Sequence, residues 1–159
     1  MRALKNKECE RLEMPKGYIL RKATAEDCKE IYDLICELED ETFPYSKFLE
    51  MFCVQLSDKN YCCLVCEKEK KIVGVLNLRF EAQLHHADYI AEIMEFVVSP
   101  LCRNIGIGKE MLERASQIAR EFGCVQIEVA CNQLRKDAHR FYLREGMQNC
   151  HFKFSKSLL

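Results

Sequence analysis

Apolar residues along this chain follow two different periods, and the two periods alternate in blocks. Runs with the length and composition of β-strands cover Tyr18–Arg21, Tyr61–Glu67, Ile72–Phe80, Tyr89–Val98, Val125–Ala130 and Cys150–Phe154. Helical spacing predicts four helices: after Thr24–Asp27, from Pro44, over residues 107–122 and over Ala138–Arg144. The order β-α-α-β-β-β-α-β-α-β predicts a mixed α/β sheet with helices on both faces.

The domain organisation follows from the same pattern. Residues 1–16 are rich in charge and carry no period, so we expect a flexible N-terminal extension. Residues 17–159 then form one predicted domain, which is long enough to bury a two-layer core.

A glycine-containing loop joins the fourth predicted strand to the third predicted helix. Gly106 and Gly108 leave the backbone bare at this junction, so its amide groups can approach a ligand closely. A helix N-terminus binds phosphate readily, and Arg103 and Lys109 add positive charge. Glycines that serve only packing or capping are the alternative. The spacing Arg-x-x-Gly-x-Gly lacks the endings of the P-loop and of the dinucleotide fingerprint.

That spacing resembles the pyrophosphate loop of the GNAT acyltransferase superfamily, which binds acetyl-CoA. The resemblance runs from Ile19 to about Lys156, and residues 137–146 look like the C-terminal helix of the superfamily. The runs Leu84–Ala87, Glu92–Val98 and His151–Lys156 are similar to aminoalkylphosphonate N-acetyltransferases. The resemblance implies a central, mostly antiparallel mixed sheet, acetyl-CoA as cosubstrate, and acetyl transfer to the primary amine of a small molecule through a ternary complex.

The resemblance also implies the cosubstrate-binding residues. They are Val97, Val98, Arg103, Asn104, Ile105, Gly106, Ile107, Gly108, Lys109 and Asn132. A backbone N–H near Val97 or Val98 would hold the carbonyl oxygen of the acetyl group. Asn132 would contact the pantetheine arm, although Arg135 occupies the place where many members carry this asparagine.

Two residues are the predicted catalytic pair. Glu92 matches the glutamate that serves as base in several superfamily members, and Tyr142 matches the tyrosine near the sulfur of CoA. An ion-paired structural role for Glu92 and a packing role for Tyr142 stay open. Plain strand alternation places Glu95 on the opposite face from Glu92, unless a bulge intervenes.

The acceptor site is predicted from cationic and hydrogen-bonding side chains. His85, His86 and Arg135 are the candidate substrate-binding residues, because arginine suits phosphonate oxygens. His85 or His86 with Asp88 could ligate a divalent metal, but their spacing matches no established motif. A metal is therefore left open and no metal site is assigned.

Composition and charge narrow the classes of binding partner and the cellular location that we expect. The chain has a net charge of −1 and 31% charged residues, so neither a nucleic-acid nor a membrane surface is indicated. With no signal-peptide pattern and eleven cysteines at mostly core-like positions, we expect a cytoplasmic protein. The Cys63–Cys66 spacing lies inside a strand-like run and does not predict a metal or redox site. A homodimer is left open.

Other functions share these features. A polyamine, an amino acid or a protein lysine would serve as well as an aminoalkylphosphonate for the acetyl acceptor. A non-catalytic CoA-binding regulatory module is the alternative outside enzymes, since a fold does not fix a function.

Overall fold

The computed structural model describes residues 14–158, and within them the predicted order of elements is present up to the fourth helix. The strands are β1 (Tyr18–Lys22), β2 (Tyr61–Lys68), β3 (Lys71–Gln83), β4 (Asp88–Val98) and β5 (Gln126–Val129). The helices are α1 (Cys28–Glu39), α2 (Tyr45–Ser57), α3 (Ile107–Phe122) and α4 (Lys136–Arg144), with short 3-10 turns at Ala25–Asp27 and Pro100–Cys102.

The strands form one sheet in the order β1-β2-β3-β4-β5. Neighbours pair antiparallel except β4 and β5, which are parallel. Parallel neighbours need a crossover, and α3 supplies it. The prediction of a mixed, mostly antiparallel sheet is confirmed.

Helices cover both faces of the sheet, as predicted. On one face α3 packs through Ile107, Met111 and Ala115 onto alternate residues of β2, β3 and β4. On the other face α1 and α2 cover Val65, Val75 and Val97. Each buried side chain removes apolar surface from water, so the two layers together fix the sheet between the helices.

The cysteines of β2 show why the CxxC spacing carries no site. Cys66 belongs to the α3 core, whereas Cys63 packs against the core beneath α1 and α2. Residues three apart on a strand face opposite sides, so these two thiols cannot act together. The cysteines of the described residues are free thiols.

Two features of β4 shape the site. Its pairing with β3 shifts between Asn77 and Leu78: Asn77 pairs with Glu95 and Leu78 with Ile93, leaving Met94 as an extra residue. This is a β-bulge. Beyond Ile93, which pairs with Val129, β4 no longer pairs with β5, so the two parallel strands separate.

Sequence reasoning was wrong at the C-terminal end. Residues 148–158 form no strand, although the alternation at Cys150–Phe154 predicted one. Phe152 and Phe154 are both largely exposed. A strand needs a neighbouring strand for its backbone groups, and no strand among residues 14–158 pairs with Cys150–Phe154.

At the other end, residues 1–13 of the predicted extension lie outside the described residues, while Met14 packs against the α3 core. No helix among residues 14–158 is long and apolar enough to cross a membrane.

Candidate active site

The loop between β4 and α3 has the backbone geometry of an anion site. Asn104 and Gly106 take left-handed conformations, with φ of +62° and +92°. Arg103 turns its side chain back and donates from Nε to the Val98 carbonyl oxygen at 2.9 Å. Gly106 is the N-cap of α3, so the unpaired amides of the first helical turn follow it directly.

Gly108 lies where α3 approaches the aromatic rings of α4 and β4. A Cβ at this position would lie 3.4 Å from Cε2 of Phe141 on α4 and 3.9 Å from Cζ of Phe96 on β4. These are ordinary van der Waals distances, so packing does not require glycine at position 108. Gly106, in contrast, would place a Cβ in open space, so its backbone conformation alone requires glycine.

Where β4 and β5 separate, α4 brings Tyr142 near the end of β4. Its ring centroid lies 6.5 Å from that of Phe96 and 5.3 Å from that of Phe141. Burial raises the pKa of the Tyr142 hydroxyl, and the neighbouring Cys131 raises it further. Tyr142 therefore stays protonated at neutral pH and can act as a proton donor.

Asn132 lies in the turn that leads into α4. Its Oδ1 accepts a hydrogen bond from the Leu134 backbone N–H at 2.9 Å, and its carbonyl oxygen lies 2.9 Å from Nε2 of His139. The side chain thus shapes this turn; its contact with the pantetheine arm stays a prediction.

Glu92 lies on the sheet face that α1 and α2 leave partly open. Arg79 on β3 donates from Nη2 to its Oε2 at 2.6 Å, and Lys153 Nζ lies 3.6 Å from its Oε1. The same Arg79 also pairs with Glu81 at 2.6 Å. Glu92 is therefore ion-paired, which was the alternative to a catalytic role, and it lies among cations that could also meet an anionic ligand.

The predicted facing of Glu95 is wrong. Asn77 and Arg79 are two residues apart on β3 and share a face, and they pair with Glu95 and Glu92 respectively. The extra residue Met94 changes the alternation, so both carboxylates project to the same side of the sheet. A bulge was the one exception that the strand pattern allowed, and it is present.

Glu95 is linked to two amide side chains. Asn77 Nδ2 donates to Glu95 Oε2 at 2.8 Å and to Gln55 Oε1 on α2 at 2.9 Å. Burial raises the pKa of Glu95, while the hydrogen bond from Asn77 lowers it and the charge of Glu39 raises it. Neither Asn77 nor Gln55 was predicted from the sequence, although a polar Asn77 inside the otherwise apolar run Val73–Leu78 was a readable signal.

Arg135, a predicted substrate residue, connects two helices. As the N-cap of α4 it donates from Nη2 to the Leu38 carbonyl oxygen at 3.0 Å, and the same nitrogen lies 3.1 Å from Glu39 Oε1. It therefore joins the start of α4 to the end of α1. Its contact with substrate stays a prediction.

His85 and His86 lie in the turn between β3 and β4, with ring centroids 4.3 Å apart. Nε2 of His86 lies 3.8 Å from Oε1 of Glu128, and Glu128 on β5 pairs with Glu92. Between residues 14 and 158, no group of three or more His, Cys, Asp or Glu side chains is placed to hold a metal ion. Substrate binding by the two histidines stays a prediction.

Comparison with known proteins agrees with this geometry. Residues 25–147 match the family described as the acetyltransferase (GNAT) family. An aminoalkylphosphonate N-acetyltransferase of Salmonella typhimurium is 42% identical over 139 residues, covering 87% of this chain and 90% of that protein.

Solved structures share the fold at lower identity. A structure titled as a transcriptional regulator from Bacillus halodurans superposes with a TM-score of 0.82 at 24% identity, covering 89% of this chain and 99% of the other. Glucosamine-6-phosphate N-acetyltransferase from Arabidopsis thaliana gives a TM-score of 0.75 at 22% identity, with 89% and 98% covered. The predicted GNAT resemblance is confirmed, and the chain belongs to the acetyltransferase (GNAT) family.

Proposed function

We propose that this protein transfers the acetyl group of acetyl-CoA to the primary amine of a small aminoalkylphosphonate, within a ternary complex. The observation that carries the proposal is the placement of three parts around the separation of β4 and β5. The anion-binding loop leads into α3, Tyr142 lies on α4 beside the end of β4, and Glu92 lies on the open sheet face. The 42% identity to an aminoalkylphosphonate N-acetyltransferase supports the acceptor class.

The residues present fit acetyl-CoA as the cosubstrate. Loop residues 103–109 would hold the pyrophosphate through backbone amides at the N-terminus of α3, assisted by the charge of Lys109. Val97 and Val98 belong to the part of β4 that no longer pairs with β5, so their strand can receive the acetyl end of the molecule. Acetyl-CoA supplies the activated acyl group.

The chain's own residues supply the proton transfers. Glu92 accepts a proton from the acceptor ammonium, directly or through water, which leaves the nitrogen lone pair free to attack. A backbone N–H near Val97 or Val98 stabilises the negative charge that develops on the carbonyl oxygen. Tyr142, kept protonated by burial, donates a proton to the departing thiolate.

Cations on the same face suit an anionic acceptor. Arg79 and Lys153 both lie against Glu92. Arginine and lysine are the side chains that bind phosphonate oxygens most readily. The free cysteines among residues 14–158 also fit an enzyme of the cytoplasm, where thiols stay reduced.

Thiol release from acetyl-CoA tests the proposal. We expect turnover with 2-aminoethylphosphonate that exceeds turnover with spermidine, amino acids or a lysine peptide. 2-Hydroxyethylphosphonate, which lacks only the amine, serves as the matched control and should give no turnover. Faster acetylation of spermidine or of the lysine peptide would reject the phosphonate assignment, and absence of turnover with every amine would favour a regulatory CoA-binding protein.

A further inference from the structure

The bulge at Met94 brings a second carboxylate, that of Glu95, to the acceptor side of the sheet. Glu95 and Glu92 pair with Asn77 and Arg79, which stand two residues apart on β3. Two residues of strand correspond to about 7 Å. Two flexible glutamate side chains at this spacing can both contact one small amino group.

Glu95 is held through one of its two carboxylate oxygens. Its Oε2 receives the hydrogen bond from Asn77, which leaves its Oε1 available as an acceptor. Asn77, only 7% exposed, has a buried Oδ1 with no hydrogen-bond partner among residues 14–158. A buried acceptor without a donor is costly, so a donor from outside the protein is the expected partner of Asn77 Oδ1.

The hydrogen-bonding character of these two atoms matches an ammonium group. Glu95 Oε1 and Asn77 Oδ1 are both acceptors, and a primary ammonium offers three N–H donors and a positive charge. Glu92 differs from Glu95 in this respect, because Arg79 and Lys153 already lie at the two carboxylate oxygens of Glu92.

The electrostatic surroundings of Glu95 favour a cationic ligand. Desolvation raises the pKa of Glu95, and Glu39 at the end of α1 adds a like charge. Cys63 on β2 also faces it, and burial raises the pKa of that thiol to about 12, so it stays uncharged at neutral pH. A bound cation would stabilise the ionised carboxylate and relieve the repulsion from Glu39.

We propose that Glu95, held in place by Asn77 and Gln55, binds the ammonium group of the acceptor and selects cationic primary amines over neutral molecules of the same shape. The proposal rests on acetyl transfer to an amine and leaves the proton transfer to Glu92. Asn77 acts as a positioning residue, since it reaches the substrate mainly through the orientation that it gives Glu95.

Steady-state kinetics of Glu95→Gln test this role. The acceptor is whichever of 2-aminoethylphosphonate, spermidine or a lysine peptide the wild-type enzyme acetylates fastest, so the test does not depend on the phosphonate assignment. Glutamine still accepts the hydrogen bond from Asn77 and loses only the charge. We expect KM for the amine to rise about 10- to 100-fold, with a much smaller change in kcat. Glu50→Gln, which removes an exposed carboxylate on α2 that has no part in these contacts, should leave KM unchanged.

Calorimetry gives a readout that a structural role would not move. Wild type should bind the amine more tightly than the alcohol with hydroxyl in place of the amino group, and Glu95→Gln should bind both alike. Asn77→Ala should reduce the same preference by a smaller factor, with thermal melting confirming that each variant is folded.

An amine KM for Glu95→Gln within twofold of wild type, or an unchanged preference for amine over alcohol, would overturn the proposal. A fall in kcat at constant KM would also overturn it, because that result makes Glu95 a proton acceptor or a structural residue. Absence of acetylation by wild type would instead reject the proposed function, and calorimetry with 2-aminoethylphosphonate and 2-hydroxyethylphosphonate would then decide the role of Glu95.

Discussion

The two ends of α3 provide a matched pair of glycines for testing the anion-binding loop. Gly106 and Gly123 have left-handed φ of +92° and +98°, and a Cβ would meet no atom within 4 Å at either position. Alanine is therefore opposed by backbone conformation alone, at about 1–2 kcal/mol. We expect Gly123→Ala to lower the free energy of unfolding by an amount in that range, and Gly106→Ala to lower it by less, because its loop can relax out of the strained conformation.

Only Gly106 lies in the loop that we propose for the pyrophosphate. With alanine at position 106, the backbone strain is released when the loop moves to a negative φ. That movement turns the loop amides away from the ligand. Binding then requires the strained conformation, so CoA affinity should fall about 5- to 30-fold, the equivalent of the same 1–2 kcal/mol. Gly123→Ala has the same strain at the far end of the helix and should keep wild-type affinity.

Calorimetric titration with CoA, alongside urea unfolding of both variants, measures the two quantities independently. Equal CoA affinity in wild type and in the stable Gly106→Ala variant would refute the loop assignment. Equal losses of affinity in both variants would show that general destabilisation of α3 is responsible, and would refute the reasoning in the same way.

Three further predictions concern single side chains. Tyr142→Phe keeps the ring and removes the hydroxyl, so kcat should fall by about 10- to 1,000-fold while calorimetric CoA affinity is unchanged; an unaltered kcat would leave Tyr142 a packing residue. Glu92→Gln should lower the rate with a high-pKa amine and recover it only at alkaline pH, as a pH–rate profile would show; a parallel loss at every pH would contradict proton acceptance. Asp27 is buried and paired with Arg21, and this arginine is the chief cause that lowers the pKa of the Asp27 carboxyl. The ion pair therefore stabilises the folded protein above about pH 4, and this stabilisation is lost as the pH falls through the lowered pKa of Asp27. Asp27→Asn should therefore reduce the difference in Tm between pH 6 and pH 3, whereas exposed Glu26→Gln should not; equal changes in the two variants would exclude the Arg21 pair as the cause.

Local patterns predicted the parts of the fold that local forces decide. The helix predicted over residues 107–122 coincides with α3, because its apolar spacing and the glycines at both ends act within one segment. The strand predicted at Cys150–Phe154 failed for the complementary reason. The alternation of apolar and polar residues in that segment shows which side chains would share a face. Whether a strand forms depends on a second strand elsewhere in the chain that can pair with its backbone.

The candidate site shows the same limit. The loop glycines could be found from the sequence, because the turn and the start of the helix are next to each other along the chain. The facing of Glu95 could not, since the bulge at Met94 arises from the pairing of β4 with β3 and has no period of its own. Asn77 and Gln55 come together from β3 and α2, and no spacing in the sequence relates them.

The bond from Arg135 to the end of α1 has a consequence for how the two substrates bind. Arg135 caps the helix that carries Tyr142, while its partners Leu38 and Glu39 belong to the helix that covers the acceptor face. If acetyl-CoA raises the affinity for the amine through this junction, thermodynamic linkage requires the amine to raise the affinity for acetyl-CoA by the same factor. Removing the guanidinium would then make the two affinities independent of each other, even where neither ligand touches the arginine.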